Sequence, residues 1–332
     1  MKKVRWGVLS TARIGMEKVI PAMQQSRHCD IHAIASRSLS KAQSAAKSLG
    51  IAKAYGSYEE LLDDPEIEAI YNPLPNDQHV ALTLAAARAG KHVLCEKPFA
   101  MNAEEAAQLR EVAGKVHIME AFMVRFHPQW LLARDKVRSG ALGELRAIQV
   151  FFSYFNNDSN NIRNRLDVGG GALYDIGCYA ITAGRFLFDA EPLRVVSLMD
   201  RDPAFGTDRL VSGLLDFGQG RRLDFTVATQ TVPYQRVQVI GTQQRIELEI
   251  PFNAPLGAAT NVYLDTGKQV GDASAQLTTI DSCNMYGLQG DAFSRAVRGE
   301  IALPYGVEDA IRNMRVIDAL FASGQSDQWV SV

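Results

Sequence analysis

Short apolar runs alternate with amphipathic segments through the first half of the chain. Four of these runs have the length and composition of buried strands, and the segments between them carry apolar residues at helical spacing. The predicted strands are Val4–Leu9, Ile31–Ala35, Ala69–Asn72 and His92–Cys95. One predicted helix begins near Met16, and two more cover Ser40–Leu49 and Asp77–Ala89. Because strands that alternate with helices form parallel crossovers, this half predicts an α/β domain with a doubly wound parallel sheet.

The second half of the chain has a different pattern. Runs rich in β-branched and aromatic residues follow one another and are separated by turn residues, which predicts an α+β domain. The predicted strands are Leu145–Tyr154, Val195–Met199, Leu210–Asp216, Arg222–Thr229, Arg236–Ile240 and Gln244–Ile250, and a helix is predicted over Leu288–Val297. We therefore expect two domains, over residues 1–122 and 123–332.

Charge and composition narrow the classes of partner. The chain of 332 residues has 35 Lys and Arg against 37 Asp and Glu, and no basic run exceeds Lys2–Lys3, which argues against nucleic-acid binding. The uncharged stretch Pro251–Leu264 is too short and too interrupted to span a membrane. No signal-peptide pattern is evident, and the widely spaced cysteines are expected to be reduced, so we expect a cytoplasmic protein without a membrane partner. No spacing typical of a metal site occurs.

The connection after the first predicted strand is a candidate dinucleotide-binding turn. A dinucleotide fingerprint places glycine at the first, third and sixth positions, where the pyrophosphate approaches the backbone. Here those positions hold Ser10, Ala12 and Gly15, so one glycine remains and small residues replace the other two. An ordinary strand-to-helix connection would have the same pattern. The expected phosphate-contact residues are Ser10, Thr11, Ala12, Arg13 and Ile14.

The end of the second predicted strand indicates which dinucleotide fits. An NAD site usually has an Asp or Glu there, which binds the ribose 2′-hydroxyl and would repel a 2′-phosphate. This chain has Ser36 and Arg37 instead, and Lys41 follows Arg37 by four positions, so both cations can face the same phosphate. The sequence therefore favours NADP and leaves NAD open. The alternative is that Arg37 and Lys41 are solvated surface charges.

Three motifs give the chain a family resemblance. They are Pro73-Leu74-Pro75-Asn76-Asp77-Gln78-His79, Glu96-Lys97-Pro98 and the glycine-rich string from Gly169 to Tyr179. In this order they resemble the glucose-fructose oxidoreductase and inositol dehydrogenase family, also written GFO/IDH/MocA. Within it the chain is most similar to the dimeric dihydrodiol dehydrogenase and NADP-dependent aldose dehydrogenase branch, whose members often carry a serine in the glycine turn.

The resemblance implies a fold and an activity. It implies an amino-terminal Rossmann domain that binds the dinucleotide, and a carboxyl-terminal domain with a large open antiparallel sheet that binds substrate and packs on a second subunit in a homodimer. The implied activity is hydride transfer between nicotinamide and a carbon of a sugar, cyclitol or related diol. Reduction of keto- or anhydrosugars is an alternative, and a nucleotide-sensing protein without turnover is the alternative from another class.

The resemblance also places Lys97 and Tyr179 at the reaction. We assign Tyr179 the acid/base role and Lys97 electrostatic support, because a free tyrosine has a pKa near 10 and a nearby ammonium favours its ionised form. The reverse division, with Lys97 as proton donor, stays open. Asp175 lies four positions before Tyr179 on a predicted helix, so both side chains share one face. Asp175 then holds a substrate hydroxyl or Lys97, or it complements the helix dipole.

The remaining candidates have weaker patterns. Glu96 is expected to orient the ribose or its lysine neighbour. Pro73, Asn76 and His79 follow a predicted strand, and His79 either contacts the cofactor or caps the next helix. The expected substrate contacts besides Asp175 are Arg125, Arg163 and Tyr286, each with a core or solvent-exposed role as the alternative.

Overall fold

The computed structural model describes residues 2–268 and 274–332. These residues form two compact units. The first contains the chain up to Met123 together with Asn284–Met314, and the second contains Val124–Cys283 and Arg315–Val332.

The first unit is built on a six-stranded parallel sheet. Its strands are β1 (Val4–Leu9), β2 (Cys29–Ala35), β3 (Lys53–Tyr55), β4 (Ala69–Asn72), β5 (His92–Cys95) and β6 (Ile118–Glu120). Their order in the sheet is β3-β2-β1-β4-β5-β6, and each neighbouring pair is parallel. This is the strand order of a dinucleotide-binding Rossmann fold. The predicted doubly wound sheet is therefore confirmed.

Helices connect these strands and cover the sheet. They are α1 (Ile20–Gln24), α2 (Leu39–Leu49), α3 (Tyr58–Leu62), α4 (His79–Arg88) and α5 (Ala103–Ala107). A π-helical turn over Gly15–Val19 precedes α1. The apolar side chains of β1 are fully buried, including Trp6 and Leu9, as expected for a central strand covered on both faces.

The first unit also holds a segment from the far end of the sequence. This segment is helix α8 (Met285–Val297), which packs on β1. The ring of Phe293 lies 5.3 Å from that of Trp6, and the Trp6 indole N–H donates to Ser294 at 3.2 Å. The structure thus differs from the predicted division at residue 122, which left this helix in the second domain, because the sequence shows a helix but not the sheet against which it packs.

The second unit contains a nine-stranded, mostly antiparallel sheet. Its strands are β7 (Leu145–Phe155), β8 (Arg194–Arg201), β9 (Asp208–Asp216), β10 (Arg222–Ala228), β11 (Gln230–Gly241), β12 (Arg245–Leu248), β13 (Thr260–Asp265), β14 (Gln276–Ile280) and β15 (Val330–Ser331). Their order is β14-β13-β12-β11-β7-β10-β9-β8-β15, and among the described strands of this second sheet only the β7–β10 pair is parallel. The predicted α+β domain with a large open sheet is confirmed.

One face of this sheet is covered by helices α6 (Pro128–Arg138) and α7 (Cys178–Phe188). The indole N–H of Trp130 on α6 donates to the carbonyl of Pro251 at 2.7 Å, and the rings of Phe152 and Phe252 stack 4.8 Å apart in the core. A last helix, α9, covers Val307–Ser326. Among the helices of the described residues, none is both long enough and apolar enough to cross a bilayer.

Candidate functional site

The turn after β1 has the geometry of a phosphate-binding connection. Ser10 has a φ of +73°, a conformation that glycine adopts without cost. Its backbone N–H donates to the carbonyl of Ala35 at 2.9 Å, and its hydroxyl accepts from the N–H of Ala12 at 3.2 Å. The chain then enters the π-helical turn that begins at Gly15. The serine therefore occupies the position of the first glycine with the backbone conformation that a glycine would have.

The neighbours of this turn complete a dinucleotide-binding edge. β1 pairs with β2 on one side and β4 on the other, so the topology switches direction at β1, where open α/β sheets bind dinucleotides. Thr11, Ala12 and Ile14 are partly exposed there. Arg13 is exposed and pairs with Glu17 at 2.8 Å. The positive φ of Ser10 and this strand order fit a nicotinamide dinucleotide.

Arg37 follows the end of β2, and Lys41 lies in the first turn of α2. Ser36 is buried and its hydroxyl accepts from the N–H of Ser38 at 3.4 Å. Arg37 and Lys41 are both exposed, and neither side chain makes a hydrogen bond or ion pair with another described residue. Two cations without a carboxylate partner suit an added phosphate group.

The side chain of His79 is buried and contacts two backbone carbonyls of the first unit. This residue begins α4, is only 1 % exposed, and its Nδ1 and Nε2 lie 2.8 and 2.7 Å from the carbonyls of Pro98 and Leu74. The two carbonyls favour the protonated ring, but burial outweighs them and lowers the pKa of His79 to about 4. The imidazole links the loops after β4 and β5, and its contact with a cofactor stays a prediction. Pro73 is buried and Asn76 is partly exposed in the first of these loops.

The Glu96-Lys97-Pro98 motif directly follows β5. The carboxylate of Glu96 accepts from the Tyr71 hydroxyl at 2.7 Å and from the backbone N–H of Lys97 at 3.4 Å. Burial raises the pKa of Tyr71 well above its usual value, and the Glu96 charge adds to this, so Tyr71 remains a donor. The Lys97–Pro98 peptide is cis. Tyr71 lies in a strand predicted as core, and no sequence signal distinguishes it from other buried aromatic residues.

Two of the predicted substrate contacts are Arg125 and Tyr286. Arg125 is buried, at 3 % exposure, in a 3₁₀ turn over Met123–Phe126. Tyr286 was expected to precede a helix, but it is the second residue of α8, where Asn284 caps its backbone N–H at 3.2 Å. Burial raises the pKa of Tyr286, and the charge of Glu96 contributes. Tyr286 therefore lies near the Glu96-Lys97-Pro98 motif, within the first unit.

The glycine-rich string in the second unit turns the chain into a helix. A Cβ at Gly170 would lie 2.6 Å from the carbonyl oxygens of both Arg163 and Arg165, and Gly171 has a φ of +122°. A π-helical turn over Leu173–Gly177 follows and continues directly into α7. The predicted helix therefore exists, and Asp175 and Tyr179 lie one helical turn apart on it.

A hydrogen-bonded cluster surrounds Asp175. Its Oδ2 accepts from the Tyr154 hydroxyl at 2.5 Å and from Nε of Arg163 at 2.9 Å. Asp175 raises the pKa of the Arg163 guanidinium above its usual range, and the phenols of Tyr154 and Tyr179 add to this effect. Burial and the charge of Asp175 raise the pKa of Tyr154, which stays protonated.

Tyr179 is packed beside this cluster. It is 6 % exposed, and its ring lies 6.0 Å from that of Phe152 and 5.5 Å from that of Phe252. The second unit thus brings together Arg163, Asp175 and Tyr179, three predicted residues, and adds Tyr154. The sequence predicted Tyr154 only as the last residue of the strand Leu145–Tyr154, because it does not show which strand residues point toward α7.

Among the described residues, no group of three His, Cys, Asp or Glu side chains is arranged to hold a metal ion. The cluster in the second unit is instead a set of proton donors and acceptors. Its tyrosine hydroxyls and one carboxylate are suited to holding a substrate hydroxyl and moving a proton.

Comparison with known proteins agrees with this geometry. Residues 4–125 match the family described as "Oxidoreductase family, NAD-binding Rossmann fold", and residues 130–247 match the "GFO/IDH/MocA C-terminal domain". A D-xylose 1-dehydrogenase (NADP(+)) from Haloferax volcanii is 39% identical and the match covers 97% of both chains. A trans-1,2-dihydrobenzene-1,2-diol dehydrogenase from Mus musculus is 33% identical over 74% of both chains.

A solved structure is similar over nearly the whole chain. It is a 3-ketoreductase from Actinomadura kijaniata, in complex with NADP and TDP-benzene, with a TM-score of 0.89 and 27% identity over 97% of this chain and 98% of that one. The resemblance carried by the three motifs is confirmed. The chain therefore belongs to the GFO/IDH/MocA family of oxidoreductases, with an NAD-binding Rossmann domain at its amino terminus.

Proposed function

We propose that this oxidoreductase prefers NADP and transfers a hydride between nicotinamide and a hydroxyl-bearing carbon of a sugar, cyclitol or related diol. The observation that carries the proposal is the cluster in which Arg163 and Tyr154 hold the Asp175 carboxylate one helical turn before Tyr179. Relatives named as a xylose dehydrogenase and a dihydrodiol dehydrogenase support the substrate class.

The preference for NADP rests on the end of β2. Arg37 and Lys41 are exposed cations without a described carboxylate partner, and a 2′-phosphate would meet two positive charges there. The xylose dehydrogenase is named for NADP(+), and the 3-ketoreductase was solved with NADP. The residues proposed to contact the dinucleotide are Ser10, Thr11, Ala12, Arg13, Ile14, Ser36, Arg37, Lys41, Pro73, Asn76, Glu96 and Lys97.

The proposed roles of the reacting residues follow from their chemistry. A bound nicotinamide supplies or accepts the hydride. Tyr179 takes the proton from the substrate hydroxyl during oxidation and returns it during reduction, and the Lys97 ammonium stabilises negative charge on that oxygen. Asp175 accepts a hydrogen bond from a substrate hydroxyl. If Lys97 moves the proton instead, Tyr179 becomes the residue that orients the hydroxyl.

Charge balance in the cluster favours a neutral substrate. The guanidinium of Arg163 already faces the carboxylate of Asp175 at 2.9 Å, so neither charge calls for an ionic partner on the substrate. Hydroxyl groups both donate and accept hydrogen bonds, and they can bind to such a pair without adding charge. A polyol or sugar fits this arrangement better than a carboxylic acid or a phosphate ester.

We further propose that the second unit binds substrate and forms a homodimer in the cytoplasm. The sheet exposes several large apolar side chains, and an exposed apolar face of this kind is usually covered by a partner. These side chains include Phe151, Phe155, Leu198, Leu210, Val232, Tyr234 and Leu277. The four cysteines form no disulfide bond, and three of them are buried, as suits a reducing compartment.

The test is a panel of aldoses, 1,5-anhydrosugars, ketosugars and dihydrodiols assayed with NADP(H) and NAD(H). We expect turnover with at least one member of the panel and a higher kcat/KM with NADP(H). Tight NADPH binding, seen as enhanced nicotinamide fluorescence, without turnover of any compound would favour a nucleotide-sensing protein. Turnover only with ketosugars and NADPH would favour the reductase alternative.

A further inference from the structure

A buried carboxylate from another strand anchors the start of the helix that carries Asp175 and Tyr179. Asp208 is the first residue of β9 and is only 1 % exposed. Its Oδ2 accepts from the backbone N–H of Leu173 at 2.7 Å, and the backbone of Ala172 also donates to this carboxylate. These N–H groups belong to the first residues of the helix, which have no partner within it.

The glycine-rich string makes room for this carboxylate. A Cβ on Gly171 would overlap the Oδ1 oxygen of Asp208, and Gly171 has a φ that other residues rarely adopt. The absence of a side chain at this position therefore lets the helix start approach Asp208 closely. The glycine-rich string, one of the three family motifs, therefore leaves space for the carboxylate of Asp208, which comes from β9.

We propose that Asp208 is a positioning residue, which fixes the amino-terminal end of the helix so that Asp175 and Tyr179 meet the substrate in the reactive geometry. Leu173 lies two residues before Asp175, so a shift at this end moves both side chains. The negative charge of Asp208 complements the helix dipole. A displacement of about 1 Å at a reacting group can lower the rate about a hundredfold.

Asp208 also acts on the hydrogen bonds around Asp175. Its charge contributes to the raised pKa of Tyr154, which keeps the phenol protonated and able to donate to Asp175. Burial raises the pKa of Asp208 itself to about 6, and the backbone N–H groups oppose that rise. The anchor and the cluster are therefore parts of one arrangement in the second unit.

The inference rests on the proposed roles of Asp175 and Tyr179, so the experiment has one readout with turnover and one without. We would compare Asp208→Asn, which keeps one acceptor oxygen, with Asp208→Ala, which keeps none. We expect kcat to fall by roughly fivefold in Asp208→Asn and at least thirtyfold in Asp208→Ala, with NADPH affinity within about twofold of wild type. The deuterium isotope effect on kcat should rise in both, because misplacement slows the chemical step.

Asp265→Asn is the matched control. Asp265 is also a buried carboxylate of the second unit, and it accepts from the backbone N–H of Gly267 and from Arg245, each at 2.9 Å. We expect this variant to lower the Tm while the kcat of the folded enzyme and its isotope effect stay unchanged. The same pattern in Asp208→Ala, a lower Tm with wild-type kcat and isotope effect, would overturn the proposal.

Amide hydrogen exchange gives the readout that needs no turnover. We expect the segment over residues 172–179 to exchange faster in Asp208→Asn, and faster still in Asp208→Ala, while α6 exchanges as in wild type. Unchanged exchange of residues 172–179 in Asp208→Asn would overturn the anchor even if Asp208→Ala does not fold. If residues 172–179 exchange faster in Asp208→Asn but the wild-type protein turns over no compound of the panel, the role of Asp208 as an anchor is supported and the proposed function is refuted.

Discussion

The Nε of Arg163 donates a 2.9 Å hydrogen bond to the same carboxylate oxygen of Asp175 that receives the hydroxyl of Tyr154. The arginine predicted to contact substrate therefore has at least one donor committed to a neighbouring side chain. Two donors on a single oxygen fix the direction of the carboxylate. The orientation of Asp175 is thus set within the second unit by residues from β7 and from a 3₁₀ turn over Ile162–Asn164.

Removing the Tyr154 hydroxyl should weaken this orientation. We expect Tyr154→Phe to lower kcat about tenfold, because hydrogen bonds to a charged group contribute about 1.5–3 kcal/mol. Steady-state kinetics on the best sugar substrate would measure the loss. Tyr263→Phe on β13 is the control and should leave kcat unchanged. A Tyr154→Phe enzyme with wild-type kcat would show that Arg163 alone holds the carboxylate.

Replacing Tyr179 tests the proton transfer. We expect Tyr179→Phe to lower kcat by roughly a hundredfold or more, because general acid–base catalysis contributes about 10²–10⁴-fold. NADPH affinity, measured by fluorescence titration, should be unchanged, since the ring and its packing against Phe152 and Phe252 are kept. Full activity in this variant would assign the proton to another group, with Lys97 the first to test.

Arg37, which follows β2, predicts a selective effect on cofactor binding. We expect Arg37→Ala to raise the Kd for NADPH at least about tenfold, since a charge-assisted contact to phosphate is lost, and to change the Kd for NADH little. Arg27, an exposed arginine of the same unit, provides the control variant Arg27→Ala, which should affect neither. Equal losses for both nucleotides in Arg37→Ala would exclude a role in binding the 2′-phosphate.

The ion pair of Glu68 with Arg298 predicts a pH-dependent stability. Two contacts of 2.8 Å join the side chains, and the guanidinium lowers the pKa of Glu68 to about 2. Since the pKa is lower in the folded state, the stabilisation is complete above the unfolded-state pKa of about 4.3 and is lost as the pH falls toward about 2.

Urea denaturation across pH would measure this effect. We expect Glu68→Gln to lower the free energy of unfolding by about 2 kcal/mol at pH 7, after a reduction for partial exposure, and by less at pH 3. Glu111→Gln removes the exposed pair with Arg88 and should cost at most about 0.5 kcal/mol at either pH. A deficit in Glu68→Gln that is as large at pH 3 as at pH 7 would contradict the assignment.

Two edge strands that the sequence missed share a physical reason. β3 (Lys53–Tyr55) is a three-residue edge strand with no buried side chain, and β14 (Gln276–Ile280) is an exposed edge. Neither carries the apolar run that marks β4 and β5, whose predicted and observed bounds agree. Edge strands are stabilised by hydrogen bonds to a neighbouring strand, and the sequence of the strand itself does not record that neighbour.

Local sequence determined the alternation of strands and helices in the first unit, the succession of strands in the second, and the two motifs around Lys97 and Tyr179. Apolar periodicity and the need for glycine act over a few residues, so they can be read along the chain. Only the tertiary structure decided that His79 links two loops, that α8 joins the first unit, and that Tyr154 and Asp208 support Asp175 and its helix. Those contacts join residues distant in sequence, and burial and hydrogen bonding between them depend on how whole elements pack.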